Sequence, residues 1–214
     1  MSNVDRPRGF HPIGTLSGSP WQSSTKRFYL DGTANTIAIG VGGIVVMTAG
    51  GYLNGIAAGG GGADIMGLVV GIPPAPGTFS TTTGITDFSL SATEPTLTGA
   101  DANHVNASEA GYIDVCTAPD LLMVGQEDGD TTPLTLADIG AAVDIIDGGI
   151  DATTGNSTME IDSSSKGTTA GDPLKLLELH QVPGNELASV DTTKPWADWV
   201  CTFNNHWYND KGGI

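Results

Sequence analysis

Ala197-Asp198-Trp199-Val200-Cys201-Thr202-Phe203-Asn204 decides the fold class. Ala197, Trp199, Cys201 and Phe203 fall on one side of an extended chain, and Asp198, Thr202 and Asn204 fall on the other. Successive side chains of a β-strand point to opposite faces, so this period of two predicts a half-buried strand. Working outward, Thr36 to Ile39, Ile44 to Met47 and Ile65 to Ile72 are short apolar, β-branched runs separated by glycines, which predicts buried strands joined by turns. Strand signals continue at Tyr112 to Cys116, Leu121 to Val124, Val143 to Ile146 and Thr158 to Ile161. Leu174 to Val182 carries leucines in both alternations, which predicts a central strand covered on both faces, with His180 as a hydrogen-bonded core residue. Thr135 to Ile139 reads as one short helical turn capped by Thr135.

Composition agrees with that reading. Gly and Pro number 31 and 12 of 214 residues, a fifth of the chain, against a usual ~12%. So much turn chemistry favours short strands over helix bundles. The expected class is all-β, a β-sandwich or barrel-like core with little helix, long loops and an extended N-terminal arm. Four segments follow: residues 1-30 as an extended basic arm, 31-72 as a β segment of the core, 73-110 as a Pro/Thr/Ser-rich loop or insertion, and 111-214 as the main β domain. Pro7, Pro12 and Pro20 forbid a continuous helix in the arm and lower the entropy it loses on ordering. The arm is expected to be separable from the core.

Charge divides along the same line. Arg6, Arg8, Lys26 and Arg27 against Asp5 make residues 1 to 30 +3, which leaves −19 for the rest of a chain whose net charge is −16. An acidic body repels a nucleic-acid backbone, so no nucleic acid is expected as a partner. The opening MSNVDRPRGFHPIG has no apolar core of a signal peptide, and no apolar run is long enough to span a bilayer. A protein without membrane contact, made in a cytoplasm, is expected. Cys116 and Cys201 form no ligand spacing and read as free core thiols.

Motifs for catalysis are missing. Gly40-Val41-Gly42-Gly43 and Gly59 to Gly62 lack the Lys-Ser/Thr of a phosphate loop, and Val45 stands where a dinucleotide fingerprint needs glycine. Glu127-Asp128-Gly129-Asp130, with Asp147 and Asp151 later, invites a calcium reading, but no window has the oxygen order of an EF-hand loop, so a solvated acidic loop is expected. His11, His104, His180 and His206 have no zinc spacing, and the serine-rich segments make no nucleophile elbow. No enzyme activity, metal or cofactor is expected.

Two parts of the chain carry a resemblance. Asp5-Arg6-Pro7-Arg8-Gly9-Phe10, continuing through Pro12 and Leu16-Ser17-Gly18, resembles the N-terminus of a family of tailed-phage virion proteins. The closing half is similar to the same family: Asp147, Thr153-Thr154-Gly155-Asn156-Ser157, Met159-Glu160-Ile161-Asp162, Leu174 to Leu179, Val182-Pro183-Gly184-Asn185-Glu186, then Trp199-Val200 and Asn204-Asn205-His206. The family is that of the head decoration, or cement, proteins of short-tailed and related phages, including those of cyanobacteria and marine bacteria. About residues 1 to 30 and 110 to 214 are covered, in order, while residues 73 to 110 depart from the pattern.

The resemblance implies an all-β structural virion protein, a homotrimer on the outer capsid surface, with the major capsid protein and its own copies as partners. It brings no catalytic residues. The capsid contact is expected at Arg6, Arg8, Phe10, Pro12, Trp21, Lys26 and Arg27. The alternative function is a head-fibre or tail module binding host carbohydrate through exposed aromatics, with Trp196, Trp207 and Tyr208 as candidates.

Overall fold

Apolar runs bounded by glycine do become strands in the structure, a computed structural model that describes residues 3–57, 63–73, 104–167, 171–185, 187 and 196–210. In chain order the strands are β1 (His11–Thr15), β2 (Thr25–Leu30), β3 (Ile39–Gly40), β4 (Ile44–Met47), β5 (Leu53–Gly55), β6 (Ile65–Gly71) and β7 (His104–Val105). They continue with β8 (Gly111–Cys116), β9 (Leu121–Gln126), β10 (Ala142–Ile146), β11 (Glu160–Gly167), β12 (Leu174–Leu179) and β13 (Asp198–Phe203). Among the described residues helix is limited to the single turn α1 (Trp207–Asp210) and two 3-10 turns, one of which, Leu136–Asp138, falls where Thr135 predicts it. The Thr135 N–H and Oγ1 both donate to Asp138 Oδ2 at 2.8 Å. The all-β class is thus observed.

All named pairings are antiparallel. One sheet runs β1-β9-β13-β12-β10-β11, a second runs β2-β8-β6-β4-β5, and β3 and β7 form a third. One core cluster draws on both large sheets: Trp199, Cys201, Met123, Leu174 and Ile161 from the first, Ile44, Ile65, Leu68 and Cys116 from the second. This is the arrangement of a β-sandwich. A second cluster lies on the other side of the five-stranded sheet, where Val45, Met66, Val69, Ile113 and Val115 pack with Ile39 of β3 and Val105 of β7. The edges β2 and β5 approach each other, so this sheet curls without closing. Two-sided burial explains why β4 and β6 read as unbroken apolar runs rather than alternations.

Some expectations need correction. β13 is not half-buried: Val200 and Thr202, on the face opposite Trp199 and Cys201, are buried too, as befits a strand inside the sheet order. β12 shows the converse. Leu174 and Leu176 are buried and Lys175 and Glu178 exposed, while a register shift between Leu176 and Glu178 places Leu177 at a bulge. The bulge, not burial on two faces, puts leucines in both alternations. His180 lies past the end of β12, half-buried, and its Nδ1 has no hydrogen-bond partner. Within Thr36 to Ile39, only Ile39 is in a strand.

The N-terminal segment does not stand apart from the sheets as an arm. Residues 11–15 form an edge of the six-stranded sheet against β9, and residues 25–30 form an edge of the five-stranded sheet against β8. The segment is extended, but it is built into both sheets. Of the loop read at 73-110, residues 74–103 lie outside the described residues, and His104–Val105 are β7. No helix among the described residues is long and apolar enough to cross a membrane. Cys116 and Cys201 are free and buried, and burial pushes both thiols up.

Candidate functional site

Arg8 and Arg27, expected to reach a partner, are occupied within the chain. Arg8 Nη2 bonds Asp198 Oδ2 at 2.9 Å, bringing the N-terminal segment onto β13. Arg27 forms a forked pair with Asp114 across β2 and β8, Nε to Oδ1 at 2.8 Å and Nη2 to Oδ2 at 3.0 Å. A bidentate guanidinium–carboxylate pair holds both groups in one plane. The Arg6 backbone N–H donates to Gln126 Oε1 at 2.8 Å, and Gln126 Nε2 donates to Val4 O at 3.0 Å and to Trp196 O at 3.3 Å. The buried Gln126 amide therefore fastens residues 4 to 6 as a strand neighbour would.

The expected apolar contacts change more. Phe10 is 1% exposed and sits in the shared core, so it cannot meet a partner. Trp21 is half-buried against the same core. Pro12 is half-buried in β1 opposite Met123. Lys26 stays exposed, with its Nζ 5.5 Å from the centre of the Tyr208 ring. Alongside Val4 and Tyr29, the apolar side chains that the segment presents outward are Ile13 and Leu16. The pairing of β1 with β9 leaves them on the surface.

The acidic residues gather into a corner where β9, β11 and the N-terminal segment meet. Asp128, Asp130 and Asp162 each bring one carboxylate oxygen within 4.8 Å of the others. Such oxygens could hold a hard cation, but internal donors already engage them. Ser163 Oγ contacts Asp128 Oδ1 at 2.8 Å and Asp130 Oδ1 at 2.9 Å, and Asp162 Oδ1 accepts from Ser164 N–H and Oγ. Asp147 and Asp151 are not members; each accepts N–H groups of its own turn. Glu127 is not solvated either. It is fully buried, its carboxylate accepts the N–H groups of Leu134 and Ala197, and burial lifts its pKa to about 7. Burial first, then the charges of Asp5 and Asp128, raise Glu160 to about 7 as well.

No family model, no curated protein and no solved structure matches this chain.

Among the aromatics, Trp196 lies half-buried over Gly129 and Trp207 is half-buried against the second core cluster. Tyr208 is exposed beside His206. The exposed pair that sequence reasoning missed is Tyr29 with Tyr112, ring centres 5.5 Å apart. The two are distant in sequence, and only the register of β2 on β8 joins them. No local pattern could have found them.

Proposed function

We propose that this protein is a structural component of a tailed-phage head that binds the outer surface of the capsid and stabilises the shell. The observation that supports this best is where the two resembling regions go. All six strands of the β1-β9-β13-β12-β10-β11 sheet come from residues 11–15 and 121–203, inside the regions that carry the resemblance. Two stretches far apart in sequence thus assemble as one unit, as they would if inherited together. A cement protein clamps subunits through area and shape and needs a rigid β core rather than a reactive site.

The capsid contact falls to Ile13 and Leu16 on the β1 edge, with Arg6 and Lys26 beside the sheets, rather than to Phe10, Trp21 or the paired arginines. Its partners are the major capsid protein and further copies of itself in a homotrimer. The test is rebinding: heads assembled without the protein should take up purified protein to saturation and then withstand heating that opens bare heads. Heads that take up none would refute the reading. Ile13→Asp combined with Leu16→Asp should weaken uptake at least tenfold while leaving the melting temperature nearly unchanged.

A further inference from the structure

The face of β2 and β8 that carries Cys116 into the shared core continues into two adjacent cross-strand pairs at the surface, Tyr29 with Tyr112 and Arg27 with Asp114. Residues two apart on a strand share a face, so the four side chains form one patch about 7 Å long. Tyr29 is 57% and Tyr112 37% exposed, although large aromatic rings ordinarily lower free energy by burial. Their ring centres lie 5.5 Å apart with the planes at 59°, a tilted ring-on-ring contact in which both rings stay exposed. Beside the rings, the forked Arg27–Asp114 pair fixes a guanidinium and a carboxylate in place. Two of the five guanidinium N–H groups are used there, and each carboxylate oxygen has capacity for another hydrogen bond. On the far side of Asp114 stands Gly71 of β6, which adds no side chain to wall off the carboxylate.

An exposed aromatic pair flanked by fixed planar donors and acceptors suits a ligand with an apolar ring face and a rim of neighbouring hydroxyls. We propose that this patch binds a neutral pyranose of a polysaccharide, its C–H face against Tyr29 and Tyr112 and its vicinal hydroxyls on Arg27 and Asp114. Charge favours a neutral sugar, because a chain of net charge −16 repels polyanions. Area disfavours a protein partner, since four side chains cover far less than the ~800 Å² per partner of a stable protein interface. The inference does not rest on attachment to a capsid.

Native electrophoresis of the full chain through gels containing dextran, hydroxyethyl cellulose or galactomannan tests it. The wild type should be retarded by at least one of the three. Tyr29→Ala with Tyr112→Ala should weaken retardation at least tenfold, and Tyr29→Ile, which keeps a strand-favouring residue and removes only the ring, should show the same direction of loss. Tyr208→Ala, an exposed tyrosine outside the patch, should behave as wild type. The proposal is overturned if no neutral polysaccharide retards the wild type, if the double variant is retarded as strongly, or if alginate alone retards it.

Discussion

Phe10 is the side chain at which the N-terminal segment turns from solvent into the core. Gly9 precedes it at φ +68°, in the left-handed region that glycine enters without strain, and a Cβ there would press on the Gly42 carbonyl. The Phe10 N–H then donates to Gly42 O at 2.8 Å, and the ring packs against Gly125 of β9, where any Cβ would overlap it. Phe10→Ala should therefore cost about 3–5 kcal/mol in denaturant unfolding, the usual loss for a buried phenylalanine. Gly125→Ala should cost about 1–3 kcal/mol by overpacking. Because the two act on one volume, Phe10→Leu with Gly125→Ala should cost less than the sum of its single changes. Strict additivity would show that the ring and the glycine are not in contact.

At the scale of elements, the N-terminal segment supplies an edge to each large sheet, so its removal is a structural lesion rather than the loss of a tether. Deleting residues 1–5 removes the hydrogen bond from Gln126 to Val4, the contacts of Asn3 and the charge of Asp5 near Glu160, and should lower the melting temperature by a few degrees. Deleting residues 1–16 removes Phe10 and all of β1, bares β9, and should abolish the cooperative melting transition; a sharp transition near the wild-type temperature would mean that the segment is separable after all. The same segment shows what was legible beforehand. β4, β6, β8, β9, β10 and β13 are readable because interior strands need apolar residues on at least one face. β1 and β2 are not, because as edges they carry His11, Pro12, Gly14, Lys26 and Arg27, residues that read as an arm and that keep edges from pairing with strangers. β11 extends into Ser163-Ser164-Ser165 for the same reason: its serines turn back onto Asp128 and Asp162 instead of into a core. The acidic corner was legible as composition, and its assembly was not, since Asp162 comes from another strand.

Over the whole molecule, acid chemistry sets how stability depends on pH. Glu127 and Glu160 have folded pKa values near 7, above their unfolded 4.5. The folded state thus holds their protons more tightly, so their contribution is complete below pH 4.5 and is lost as pH rises through 7. For the buried Glu127 this is on the order of 3 kcal/mol, and it is less for the partly exposed Glu160. His206 acts in the opposite sense: burial lowers it from 6.5 to about 4, so its contribution is full above 6.5 and is lost as pH falls through 4. Two carboxyls outweigh one imidazole between pH 5 and 7, while Asp31, Asp114 and Asp151, held low by hydrogen bonds, withdraw support only in stronger acid. The melting temperature should peak near pH 5 and fall toward pH 7.5, and Glu127→Gln should flatten that fall; an unchanged slope in the variant would remove Glu127 as its cause. Ionising these groups also completes the net charge of −16, so self-repulsion grows along the same axis. Raising salt from 0.01 to 0.15 M shortens the screening length from ~30 to ~8 Å. That range relieves repulsion across the body while leaving contacts under 3 Å, such as Arg8–Asp198, less affected. Salt should therefore raise the melting temperature at pH 7.5 and do so less at pH 5, whereas a fall with salt at pH 7.5 would mean that exposed ion pairs, not the acidic surplus, dominate the electrostatics of the fold.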